Sequence, residues 1–200
     1  ISNVLCRDNE YFFMSSCIPI KMDFLLQLKL GQVPKLWRSL EVPITPVNRS
    51  MRQWKMLEPD KSEDFPAVVC AMIPKHIPTA YLEGYRDVVA FTANLPWPKR
   101  PKAIFTSNSF NSDDVFKVWA AEKSESGTPM VIGQHGGNFG MALWSFTEEH
   151  QIAIADRYLT WGWSKPEPDK IKPVGNFKGF GKEIVVDKAG NALLVELIIP

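Results

Sequence analysis

The sequence predicts an α/β fold, a parallel sheet with helices on both faces. Three observations predict it. Short apolar runs at Lys102–Ser107, Met130–Ile132 and Tyr158–Trp161 read as buried strands. A helical pattern over Asp113–Ser126 separates the first two, with connections short enough for a right-handed βαβ unit. Finally, Met130–Gly140, MVIGQHGGNFG, runs a strand into four glycines with His135 in their middle. Glycine permits φ > 0 and close backbone approach, so such density marks a tight turn with exposed N–H groups. Turns at the carboxyl ends of buried strands are where α/β proteins place ligands.

In chain order, Tyr11–Met14 is apolar and reads as a strand or the edge of one. Lys21–Leu30 has apolar residues at helical spacing, and Gly31 suits its C-cap. Pro34 suits the first turn of a short helix carrying Leu36, Trp37 and Leu40. Pro43–Asp60 is irregular. Arg49 and Arg52 stand three apart there, either clamping an anion or lying on a solvated turn. Ser62–Glu63–Asp64 reads as a helix start, followed by a buried helix over Phe65–Met72 that Pro74 and Pro78 break. A second helix is expected over Thr79–Leu95, then a rigid proline connector at Pro96, Pro98 and Pro101.

The strand Lys102–Ser107 ends in small polar residues, and Asn111–Asp114 supplies an N-cap and acidic first turn for the next helix, which Gly127 closes. Asn108 and His135 therefore belong to neighbouring strand ends. Glu148, Glu149 and His150 open a helical stretch to Asp156. Tyr158–Trp161 and Ile171–Val174 read as further strands, and Phe177–Lys182 as a linker. Ile184–Asp187 and Ala192–Ile199 read as the first strand material of a second domain. The chain starts at Ile1 and ends in an apolar run, which reads as a piece of a longer protein.

Composition excludes several classes. In 200 residues, 45% are hydrophobic and 12% aromatic, enough for a real core. A net charge of +1 gives no field for nucleic acid. Cys6, Cys17 and Cys70 form no C-x-x-C pair, so neither a zinc ribbon nor a disulfide framework is supported, and a reduced cytoplasmic setting is the default. No apolar run approaches the ~20 residues of a membrane helix. The glycine loop meets neither the dinucleotide fingerprint, since His135 stands where the second glycine belongs, nor a Walker loop. His135, His150 and Glu148 match no metal-ligand spacing. A histidine on a glycine turn can be a general base, a donor to an oxyanion or phosphate, or a residue that only shapes the turn.

Gln134-His135-Gly136-Gly137, then Gly140, Glu148-x-His150 and the run Asp156–Trp163 resemble a transferase family found with O-antigen and other surface-carbohydrate biosynthesis genes. That family resembles glycosyltransferases of the two-Rossmann-domain (GT-B) type. The resemblance is close over about Met130–Gly175, looser back to Tyr11, and includes Gly31–Pro34. It implies a Rossmann-like acceptor-side domain over 1–176, a linker over 177–183 and the start of a donor-binding domain over 184–200. It implies sugar transfer from a nucleotide-sugar donor to a hydroxyl acceptor, without a metal or other cofactor. The enzyme would be cytoplasmic, with peripheral contact with the inner membrane face. His135 is then the catalytic base, and Asn108, Gln134, Gly136, Gly137, Asn138, Glu148, His150, Trp161 and Trp163 the substrate-binding residues. The fragment alone would be inactive. A sugar-nucleotide epimerase of the same architecture and a non-catalytic carbohydrate-binding domain are the alternatives.

Overall fold

Alternation along short strands sorts side chains to two faces. In the computed structural model, which describes residues 7–42, 45–56, 64–166, 169–179, 183 and 190, five such strands pair in parallel. They are β1 (Phe12–Met14), β2 (Ile104–Thr106), β3 (Met130–Gly133), β4 (Arg157–Thr160) and β5 (Ile171–Pro173), in the spatial order of the sequence. The registers Phe12↔Ile104↔Met130, Ile132↔Tyr158 and Tyr158↔Ile171 keep one apolar row on one face. The expected α/β class and the strands at 104–105, 131–132, 159–160 and 172–173 are present.

The helices are α1 (Ile20–Lys29), α2 (Asp64–His76), α3 (Tyr85–Ala93), α4 (Ser109–Ser112), α5 (Asp114–Glu125) and α6 (Phe146–Ile154). A sheet whose strands follow sequence order places successive right-handed crossovers on the same side. Accordingly Phe91 of α3, Phe110 of α4, Val115, Phe116 and Trp119 of α5 and Ile152 of α6 all pack on the row Phe12, Met14, Ile104, Met130, Ile132, Tyr158 and Ile171. An aromatic cluster centres this core: Trp119 lies 4.4 Å from Phe12 and 5.1 Å from Trp97 between ring centroids. The second face carries Phe13 and Phe105, whose rings are 5.6 Å apart. Phe177, in the 3-10 turn Phe177–Gly179, packs edge-on to Phe105, and α1 shares a cavity of about 260 Å³ with Phe177.

Several local expectations change. Residues 33–40 form no helix. The buried Lys35 ammonium pairs with Glu10, the Gln27 side chain binds both the N–H and the carbonyl of Lys35, and Trp37 stacks on Phe12. These contacts require an extended chain. Arg52 neither clamps an anion nor lies solvated: its Nε and Nη2 donate to Glu83 at 2.6 and 2.7 Å. The helix expected over Thr79–Leu95 breaks at Leu82–Gly84, where Glu83 turns to Arg52 and a Cβ on Gly84 would sit 2.6 Å from the Thr45 hydroxyl. α2 runs through Pro74 and exposes Phe65, Val68 and Met72, so the buried helix expected there is a surface one. The start read at Ser62–Glu63 and the strands read at Ile184–Asp187 and Ala192–Ile199 lie outside the described residues. Among the described residues no helix is long and apolar enough to cross a membrane.

Candidate functional site

β3 delivers the glycine loop to the carboxyl edge of the sheet. Its last residue, Gly133, faces the second side, where a Cβ would come within 2.8 Å of Ser107 Oγ and 2.9 Å of Phe177. Here glycine is required by close approach rather than by φ. Gly140 is required on both counts, with φ +80° and Trp163 atoms 2.5 Å from a would-be Cβ.

Two buried side chains hold the loop. Gln134 is 2% exposed. Its Nε2 donates to the Gly136 carbonyl at 2.6 Å, while Oε1 accepts from Trp161 N at 3.0 Å and Trp163 Nε1 at 2.9 Å. The amide thus ties the glycine turn to the end of β4. Glu148 closes the other end, accepting from Gly140 N and from Lys165 Nζ. Glu148 sits in the first turn of α6, where Ser145 Oγ caps its N–H at 3.3 Å. The Ser-x-x-Glu spacing that marks this start is a capping-box signal, and it places the helix start at Phe146, earlier than Glu148.

Between these pins His135 lies half-buried with its ring 5.2 Å from that of Phe139. Its Nδ1 is buried and without a hydrogen-bond partner among the described residues. Burial lowers its pKa below the usual 6.5, the nearby Lys178 ammonium lowers it further, and the backbone of Ser107 partly opposes both. His135 is therefore neutral at neutral pH, the form in which imidazole accepts a proton. Trp161, just past the end of β4, presents a second orphan: its indole Nε1 is buried with no partner among the described residues, and its ring lies 3.8 Å from a would-be Cβ of Gly137. Buried donors and acceptors without partners are rare, and each costs about 1–3 kcal/mol unless something binds it.

The remaining expected site residues divide. Asn108 follows Ser107 at the end of β2; it is exposed, and its side chain makes no cap bond to α4. Gly136, Gly137 and Asn138 form the turn above Gln134, with Asn138 Oδ1 2.9 Å from a would-be Cβ of Gly136. Trp163 packs against Tyr158, 6.0 Å between centroids, and lies under the Lys165 ammonium. His150 is exposed, with its ring 6.2 Å from that of Phe110 on the core side. The structure thus gathers His135, Ser107, Gly137 and Trp161 at one edge, while Glu148 reaches them through Gly140.

Sequence reasoning missed Lys178, which it read as linker. Asn176 Oδ1 accepts from the backbone N–H of Lys178 at 2.9 Å and of Gly179 at 3.3 Å. This Asx-type turn sets Phe177 against Gly133. The Gly175-Asn176 pair after a strand is the sequence signal for it.

Two larger cavities lie elsewhere, one of about 580 Å³ between the 39–45 segment, the 78–84 turn and the start of α5, and one of about 640 Å³ between α3 and α5. The glycine loop instead forms an open edge.

A family model described as LIC12162 family transferase matches residues 1–200. No curated protein and no solved structure matches.

Proposed function

The chain belongs to the LIC12162 family of transferases, and on that premise we propose that it serves sugar transfer from a nucleotide-sugar donor to an acceptor hydroxyl, in the making of a bacterial surface polysaccharide of the O-antigen kind. The observation that carries the reading is His135: neutral, on a glycine turn at the carboxyl edge of a parallel sheet, its buried Nδ1 without a partner among the described residues, as is Trp161 Nε1 at the end of the next strand.

In this reading the acceptor hydroxyl gives its proton to His135. Its oxygen bonds to the anomeric carbon, and the nucleoside diphosphate leaves with the electrons of the broken C–O bond. The Trp161 N–H and Asn108 orient the acceptor. Gln134 and Glu148 hold the loop in place and touch no substrate. Residues 1–176 act as the acceptor side of a GT-B-like enzyme, 177–183 as its linker and 184–200 as the opening of the donor-binding side. Cytoplasmic location with a peripheral hold on the inner membrane face belongs to the same reading.

The test is a turnover assay on the longest native protein containing this chain, with a panel of nucleotide sugars, with and without carbohydrate acceptors. Nucleoside diphosphate released only with acceptor supports transfer. A changed sugar appearing without acceptor would support the epimerase reading, and binding without turnover the carbohydrate-binding one.

A further inference from the structure

β1 ends at Met14 and hands the chain to a strained turn. Ser15 has φ +48° and Cys17 φ +58°, and among the described residues these are the non-glycine residues with positive φ. L side chains rarely take that conformation, so neighbouring structure must hold it. Two sets of contacts do. On one side Ser16, which is buried, donates its hydroxyl to Asp23 Oδ2 at 2.7 Å. Gln27 Nε2 donates to the other Asp23 oxygen at 2.7 Å, so the turn is bound to α1. On the other side stands Ser107, fully buried just past the end of β2. Its N–H donates to the Ser15 carbonyl at 3.0 Å and its hydroxyl to the Ser16 carbonyl at 2.9 Å.

Ser107 reaches the glycine loop as well. Its Oγ lies 2.8 Å from a would-be Cβ of Gly133, so the hydroxyl occupies the space that glycine leaves two residues before His135. Its backbone also accepts a hydrogen bond from the His135 ring. The ring's Nδ1 is buried and has no partner among the described residues. In a neutral imidazole one nitrogen carries the proton and the other the lone pair, and the hydrogen bond made by one decides the state of the other. A carbonyl at one ring nitrogen therefore leaves the other bare.

We propose that Ser107 is the positioning residue for His135: locked to the strained turn of β1, it holds the imidazole proton on Nε2 and keeps Nδ1 bare as the proton acceptor. The side chain is needed as well as the backbone. Its hydroxyl fixes the strand end against the Ser16 carbonyl on one side and Gly133 on the other, and the carbonyl that meets the ring moves with it. The proposal deepens the reading of His135 as a base and rests on it. The tautomer is measured without turnover, so the two fail separately.

The experiment takes the longest native protein containing the chain, with isotope-labelled histidine, and reads the ring nitrogens by NMR at neutral pH. The His135 signals are assigned by their loss in His135→Gln. The wild type shows one tautomer there, with the proton on Nε2. Ser107→Ala removes the hydroxyl, and Ser107→Cys replaces it with a weak donor of nearly the same size, so that one variant tests the bond without opening a cavity. Both turn the single state into a mixture of tautomers, while the signals of His76 and His150 stay in place. In the turnover assay both lower kcat by about 10–100-fold, the cost of a misplaced group, with KM within about twofold of wild type. A wild-type ring protonated on Nδ1, or already a mixture, would overturn the proposal. So would a single unchanged tautomer in both variants, even with a lowered melting temperature, which would make Ser107 a structural residue only.

Discussion

Two loop residues separate chemistry from support. His135 packs little, whereas Gln134 satisfies three groups at once. Gln134→Ala leaves buried N–H groups of Trp161 and Trp163 unpaired, at about 1–3 kcal/mol each. It should therefore lower both the melting temperature and any turnover. His135 carries its own pH signature. Its pKa is lowered in the fold, so below pH 6.5 the unfolded chain takes up a proton that the folded chain does not yet hold. Stability is full above about 6.5 and falls as pH drops through the folded value. Melts of wild type and His135→Gln from about pH 7.5 to 5 should show this slope in the wild type and lose it in the variant. A wild type that gains stability on acidification over that range would contradict the assignment. The four glycines were legible in the sequence, but the reason was only half so. Positive φ applies at Gly140, whereas contact with Ser107 and Phe177 decides Gly133, and such contact depends on distant residues.

At the scale of elements, hydrophobic period and caps were the readable part. β2, α5 and β3 stand where the pattern put them, with Asp113 capping α5 through Phe116 N at 2.8 Å and Gly127 closing it at φ +88°. What escaped were segments governed by long-range polar contacts. Lys35 and Glu10 pull residues 33–40 straight, and Arg52 and Glu83 break the second helix. No local window holds both partners of such pairs. The Arg52 guanidinium holds the Glu83 carboxyl down to about 2 through its hydrogen bonds. Glu83 therefore adds stability above its ordinary value near 4.5, and that stability is lost as pH falls toward 2. Glu83→Gln should flatten the acid limb of the stability curve between those values; an unchanged limb would remove the pair from the account. In the core, Trp119→Ala opens a cavity among Phe12, Trp97 and Phe116 and should cost about 3–5 kcal/mol in a denaturant melt. Gly140→Ala should cost about 1–2 kcal/mol from its φ alone, with further loss from Trp163.

At the scale of the molecule, the sheet's class, its parallel sense and the edge where the loop emerges all followed from the sequence. The surface did not. Met141, Leu143, Trp144 and Phe146 follow the loop and are 75–100% exposed, and α2 shows Phe65, Val68 and Met72 to solvent. Apolar surface on this scale marks contact with something else, and apolar content alone reads α2 as buried. The 200-residue chain should associate in solution and bind a hydrophobic dye. Leu143→Ser with Trp144→Ser should reduce both in light scattering and fluorescence, and an unaltered signal would move the sticky surface elsewhere.

The central claim is that the His135 edge is where a transferase does its chemistry. Steady-state turnover of wild type and His135→Ala, in the longest native protein containing the chain and with the nucleotide sugar found to be its donor, tests it most directly. The account predicts a kcat lower by about 10²–10⁴-fold, the usual worth of a general base, with a melting temperature within a degree or two of wild type, because a half-buried loop side chain adds little packing. Full activity in the variant, or loss of activity matched by loss of fold, would contradict it.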